Sequence, residues 1–158
     1  MSGTGDERSP LVLASLAEAI GNLRYELGRS RLRGLTHHED EAVRGYAVSS
    51  LGILRAEEDL ELLNSLARTE RSPRLLPALH VALYSFDSAF ADAVLDDLSS
   101  EDCDLVGLTL RELTYVAEER PPPWLRHESA RFIAALQGSD WCSHSVAGEL
   151  VLFERAVA

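Results

Sequence analysis

Five histidines, two cysteines and a surplus of carboxylates are the side chains of this 158-residue chain that could do chemistry. His37-His38-Glu39 and Arg126-His127-Glu128 each set an imidazole beside a carboxylate, a donor pair that a transition metal accepts. Two such pairs, set far apart in the chain, supply few ligands. His127 and Glu128 therefore stand as metal ligands only in an alternative reading, and no cofactor is expected. His80 falls on the apolar face of its segment, the usual place of a hydrogen-bonded core or groove histidine, and His144 carries no signal. Cys103 and Cys142 lack metal-type or redox-motif spacing and read as reduced thiols of a cytoplasmic protein. No G-x-x-x-x-G-K-S/T, dinucleotide-type glycine run or G-x-S-x-G elbow is present. No catalytic residue is assigned, and the class of work expected is binding.

Charge narrows the partner. The net charge is −11, and all fifteen basic residues are Arg. Residues 37–120 hold eighteen acids against seven Arg, whereas 1–36 sum to +1 and 121–158 to −1. Such a middle segment opposes a nucleic-acid backbone, whose phosphates need Lys and Arg. It suits a basic protein, although acids that merely keep the chain soluble would look the same. No stretch approaches the roughly 18 apolar residues of a membrane span. The start, MSGTGDERSP, lacks the pattern of a secretory signal.

These side chains must be positioned by helices. Val43, Ala47, Leu51 and Leu54 share one helix face, as do Leu11, Val12, Leu16 and Ile20. Start signals recur at Ser9-Pro10, Asp40, Ser72-Pro73 and Asp102, at intervals of 31, 32 and 30. Moved on by 32, the first set lands on Leu75, Leu79, Leu83 and Phe86; a further 30 gives Leu105, Thr109, Leu113 and Val116, with one polar break. Leu62, Leu63 and Leu66 map onto Val94, Leu95 and Leu98 in the same way, and Glu7-Arg8-Ser9-Pro10 recurs as Glu70-Arg71-Ser72-Pro73. Each unit is then a helical hairpin that buries its apolar faces by stacking on its neighbours. The expectation is an all-α fold, a short right-handed α-solenoid of about four repeats (9–36, 40–68, 72–99, 102–137). Residues 9–158 form one domain behind a flexible 1–8. Pro121-Pro122-Pro123 breaks the fourth unit, Trp124 opens its second helix, Gly138 ends it, and Ser139-Asp140 cap a closing helix from about 140 to 157.

Asp40, Val43, Arg44, Ala47, Leu51, Gly52 and Leu54 resemble the HEAT repeat, in particular the phycobilisome-lyase HEAT-like repeat. The resemblance implies that Asp40 and Arg44 tie neighbouring repeats together. Leu76 and Val106 stand where Arg44 would recur, so no continuous Arg–Asp ladder is expected. HEAT-repeat deoxyhypusine hydroxylases hold two irons through four His-Glu pairs. Arg126-His127-Glu128 looks like one of them, His38-Glu39 lies ahead of its helix, and the other two are absent. HEAT-like DNA glycosylases use a basic concave face, which the acids here oppose.

What remains is surface. The edge between repeats collects Glu39, Asp40, Glu41, Glu70, Asp96, Asp97, Glu101, Asp102 and Asp104. The edge within repeats collects Glu57, Glu58, Asp59, Asp87, Glu118 and Glu119. Tyr46, Tyr84 and Tyr115 recur near equivalent positions, as anchors for a partner or as core residues with an exposed hydroxyl. Trp124 follows either a rigid corner or an offered polyproline stretch. The partner-binding set is Glu39, Glu41, Glu70, Asp96, Asp97, Glu101, Asp104, Tyr46, Tyr84 and Trp124. The function expected is a non-enzymatic solenoid that binds a basic protein, most concretely an acidic bacterial immunity or inhibitor protein that blocks a toxin. The alternatives are an adaptor or chaperone-like assembly factor, and a HEAT-type metal-dependent hydroxylase or lyase. Monomer and homodimer stay open.

Overall fold

Capping side chains decide where the helices begin. In the computed structural model, which describes residues 9–137, 142 and 146–158, Asp40 accepts the Val43 backbone N–H at 3.1 Å and opens α3 (Glu41–Leu54). Asp102 accepts from the N–H groups of Asp104 and Leu105 at 3.0 and 3.3 Å and opens α7 (Cys103–Glu119). Each carboxylate meets orphan donors at the positive end of a helix. Ser9 precedes α1 (Pro10–Asn22), but its hydroxyl makes no capping bond. Ser72 departs from expectation. Residues 73–75 form a turn, and α5 (Leu76–Phe86) starts at Leu76 with Pro77 in its first turn. Pro77 fits there because its ring fixes φ and its missing N–H has no helical partner to lose. The Ser72 hydroxyl instead donates to the Glu41 carboxylate.

Helices α1, α3, α5, α7 and α9 (Ala147–Val157) stack in one layer. Helices α2 (Arg29–Leu35), α4 (Leu60–Thr69), α6 (Ala91–Leu98) and α8 (Leu125–Gln137) form the second, each packed on the odd helix that follows it. Short 3₁₀ turns at Glu26–Gly28, Glu57–Asp59 and Ser88–Phe90 lead into α2, α4 and α6, at intervals of 31. Pro121-Pro122-Pro123 takes that place in the fourth hairpin. Among the described residues the chain is all-α, an α-solenoid of four hairpins and a closing helix. That closing helix starts at Ala147 rather than near 140, since Cys142 and Val146 lie in turns. The proposed flexible 1–8, the first copy of Glu-Arg ahead of Ser-Pro, Gly138, Ser139-Asp140 and His144 lie outside the described residues.

The repeating apolar positions make the core. Val43, Ala47, Leu51, Leu54, Leu75, Leu79 and Leu83 are all buried. The polar break Thr109 is buried too, its hydroxyl donating to the Leu105 carbonyl at 2.9 Å. Leu11 and Val12, on the apolar face of α1 by sequence, are 75 % and 50 % exposed and stand outside this core. Two glycines set how closely the odd helices approach. A Cβ on Gly21 would stand 2.6 Å from Ser50 Oγ, and one on Gly52 2.9 Å from Ala82 Cα. The pairs α1–α3 and α3–α5 thus cross at equivalent small residues, where a side chain would hold the helices apart.

Three expectations are corrected by tertiary contacts. Cys103 and Cys142 are joined in a disulfide, with Cα atoms 5.1 Å apart, and are not reduced thiols. Their separation of 39 residues concealed the pairing. The α7–α8 hairpin brings the chain back to the start of α7, and the thiol argument for a cytoplasmic protein falls with the thiols. Asp59, expected on the edge within repeats, has a fully buried side chain 3.4 Å from Arg29 Nε and 3.5 Å from Arg33 Nη1. It ties the first hairpin to the second by charge, since neither oxygen makes a well-aligned hydrogen bond. Burial raises its pKa, against the pull of the two arginines. Tyr84 is fully buried, edge-on to Trp124 and Phe132 at 6.4 and 5.3 Å between ring centroids, so it is a core residue and not a surface anchor.

Candidate functional site

Successive odd helices curve around a shared groove. On α3, Gly45, Tyr46 and Ser49 follow one another at helical spacing along one face, and on α7, Leu108, Glu112 and Tyr115 do the same. With Glu18 from α1 and Leu75 and Ala78 from the α5 segment, they line an open groove of about 450 Å³. The curvature brings α7 back against α1 and α3. Ser49 Oγ donates to Glu112 Oε2 at 2.7 Å, and the Tyr115 hydroxyl donates to Asn22 Oδ1 at 2.5 Å.

Arginines at helix C-termini tie the odd helices to one another. Arg120 Nη1 donates to the carbonyls of Ile53 and Leu54 at 3.0 and 2.6 Å, and Arg24 Nη2 to that of Glu119 at 2.8 Å. Arg55 donates to the Arg120 carbonyl. These cations meet the negative ends of α3 and α7. Burial, with Arg120 and Arg24 beside it, lowers the Arg55 pKa to about 10. Arg24 and Arg55 both take left-handed backbone, with φ of 51° and 52°, as the chain leaves α1 and α3. The same costly turn therefore occurs one repeat apart.

Glu112 is the unusual group of the groove. No cation pairs with it among the described residues, and Ser49 is its one hydrogen-bond partner there. Burial pushes its carboxyl up to about 7, against the lowering effect of the Ser49 bond. Burial also raises the Tyr115 pKa, with Glu119, Glu18 and Glu112 adding to the rise. The sign of the stability effect follows. Between the ordinary carboxyl pKa and about 7 the folded state holds a proton that the unfolded state has released, so stability falls as pH rises through that window. The full shift corresponds to at most about 3 kcal/mol, lost by pH 8. Glu112→Gln should remove that pH-dependent part and gain about 1–3 kcal/mol on wild type between pH 5 and 8. Urea unfolding of both proteins at the two pH values measures it; an unchanged difference would show that Glu112 ionises as freely as a surface acid.

The expected partner-binding residues divide. Glu39, Asp96, Glu101 and Asp104 are exposed at the edge between hairpins and form no ion pair among the described residues. Glu41 lines the groove and accepts from Ser72. Glu70 accepts the N–H groups of Arg71 and Ser72, both at 2.9 Å, and lies 3.5 Å from Arg44 Nε. Burial would raise its pKa, but these contacts hold it below the usual carboxylate range. Asp97 is buried, with its carboxylate 2.7 Å from His80 Nδ1, so it does not belong to the free edge. Tyr46 is 44 % exposed beside the groove, whereas half-buried Trp124 is pinned by its Nε1–H to the Tyr84 carbonyl at 3.2 Å. Asp40 caps its own helix. Arg44 donates to the carbonyls of His38 and Glu39 at 3.0 and 2.9 Å, and with Glu70 spans the turns on both sides of its hairpin.

His127 is exposed on α8, and Glu128 turns inward beside the Tyr84 hydroxyl. Burial raises the Tyr84 pKa and Glu128 adds to it, yet neither the hydroxyl nor Glu128 Oε2 completes a well-aligned hydrogen bond. Among the described residues no three His, Cys, Asp or Glu side chains gather as a metal site would require, and no helix is long and apolar enough to cross a membrane. Sequence reasoning missed Glu112, Ser49 and Glu18. The signal for Glu112 was a lone acid set between Leu110 and Leu113 on the longest helix.

A family model described as HEAT repeats matches residues 4–83, half of the chain. Comparison with curated proteins and with solved structures finds no match.

Proposed function

Because the chain belongs to the HEAT repeat family, whose repeats suggest a scaffold for protein–protein interaction, we propose that it binds a basic protein as a non-enzymatic, acidic immunity or inhibitor protein. The observation that supports this reading is the row of exposed, unpaired acids Glu39, Asp96, Glu101 and Asp104 along the edge between hairpins. Their charge is not cancelled from within the described residues, so it is available to a partner. Long-range attraction speeds encounter, and short-range contacts then set the lifetime of the complex. The cytoplasmic placement belongs to the same proposal and carries a condition: a reducing cytosol would hold Cys103 and Cys142 as thiols.

The test is capture from a lysate of the source organism at low and high salt, with the retained protein identified, purified and assayed for binding. A basic protein is expected to bind at low salt and to be released at high salt. Joint replacement Glu39→Gln, Asp96→Asn, Glu101→Gln and Asp104→Asn should slow its association about tenfold at low ionic strength. Association unchanged by the four replacements would sink the charge-based reading.

A further inference from the structure

Two of the carboxylates that line the cavity have partners that are not cations. Among the described residues Glu112 takes only the Ser49 hydroxyl, and Glu41 takes the Ser72 hydroxyl. Two arginines also line the cavity. Arg111 is turned to Glu149 of α9 at 2.9 Å, and Arg74 is exposed on the turn before α5. The groove also has aromatic walls, with Tyr46 on α3 and Tyr115 on α7. Apolar Leu75, Ala78 and Leu108 form its floor. A planar cation with an apolar stem fits this combination. The stem covers leucine and alanine, the charged plane lies against tyrosine faces, and its N–H groups meet carboxylate oxygens. The volume, about 450 Å³, is within the range of sites that enclose a small ligand.

We propose that this groove seats an arginine side chain of the protein partner, with its guanidinium on Glu112 and between Tyr46 and Tyr115. The proposal rests on the basic-partner reading above and adds to it the point of insertion. Glu112 is the anchor because its half-buried carboxylate lines the groove with a hydroxyl, and no cation, beside it among the described residues. Ser49 positions that carboxylate through their hydrogen bond. Glu18 and Glu41 supply the surrounding negative charge. The charged and polar groups that line the groove with Glu112 are Glu18 on α1, Glu41, Tyr46 and Ser49 on α3, Arg74 before α5, and Arg111 and Tyr115 on its own helix. Arginine binding requires ionised Glu112, so affinity should fall as pH drops below about 7.

The experiment titrates the full chain with the blocked tripeptide Gly-Arg-Gly and, separately, with its citrulline and lysine counterparts. Backbone and carboxyl NMR signals report occupancy. The arginine peptide should give saturable shifts at Gly45, Ser49, Glu112 and Tyr115. Binding should weaken at least about tenfold in Glu112→Gln at pH 8 and about tenfold in wild type at pH 5.5. The citrulline peptide, equal in shape but uncharged, should leave these signals in place. Absent or unsaturable shifts, equal shifts with citrulline, equal affinity for the lysine peptide, or binding retained by Glu112→Gln would each overturn the assignment. The Glu112→Gln variant is expected to be at least as stable as wild type at pH 8, so lost binding there is not lost folding. Retention of the captured basic protein by Glu112→Gln, with loss in the four-acid variant, would end the groove assignment and leave the edge reading standing. The opposite pair of results would end the edge reading alone.

Discussion

Gly52→Val is expected to lose about 3 kcal/mol or more of folding stability, although valine is a better helix residue than glycine. The reason lies across the interface between α3 and α5. A Cβ on Gly52 would stand 2.9 Å from both the Cα and the Cβ of Ala82, and one of those atoms is backbone. No rotamer change relieves a clash with a main chain, so the two helices must separate. The layers of the neighbouring hairpins then lose contact as well, because close packing transmits the strain. Gly34→Ala on α2 is the control. A Cβ there meets nothing within 4 Å, so the change should gain up to about 1 kcal/mol from helix propensity alone. Denaturant unfolding of the two variants beside wild type reads the opposite signs. A Gly52→Val protein within about 1 kcal/mol of wild type would mean that the odd helices are not held at this distance.

Reduction of the disulfide is the second large effect. The bond joins residues 39 apart, and for such a loop the chain-entropy argument gives about 4 kcal/mol, at the upper end of the usual 2–4. Cys103→Ala/Cys142→Ala, or wild type in reductant, should therefore melt about 5–15 °C lower than oxidised wild type. The loosening should be local. The bond pins the start of α7 to the segment that leads into α9, and the closed loop contains α7 and α8. Faster amide exchange is expected first in α8 and α9, with α1 to α4 least affected. An identical melting temperature with and without reductant would show that the two sulfurs are not joined in solution.

Much of the fold was legible in the chain because it depends on local rules. Asp40 and Asp102 are capping residues wherever such a helix starts, and the interval near 31 between start signals implied stacking before any contact was known. Val43, Ala47, Leu51 and Leu54 predicted the core positions Leu75, Leu79 and Leu83 by translation. The start of α5 is ambiguous in sequence because Ser72-Pro73 and Leu76-Pro77 both carry a helix-starting proline; in the fold 73–75 form a turn and the Ser72 hydroxyl is taken by Glu41.

The candidate site was much less legible. Glu39, Asp96, Glu101 and Asp104 could be placed on an edge from topology alone. Asp97 could not be removed from it without the contact to His80. Tyr84 and Tyr115 occupy near-equivalent positions in sequence, yet one is sealed in the core and the other lines the groove.

The sequence by itself determined the helices, their faces and their stacking order, since each follows from side chains within one turn or one repeat of each other. Only the tertiary structure decided that Glu112 meets Ser49, that Asp59 is buried beneath Arg29 and Arg33, and that Cys103 bonds to Cys142. These contacts join residues roughly 25 to 65 positions apart, and they depend on how the small rotation of each hairpin on the next accumulates into curvature. That rotation is set by packing at points such as Gly21 on Ser50 and Gly52 on Ala82, and no single segment encodes it.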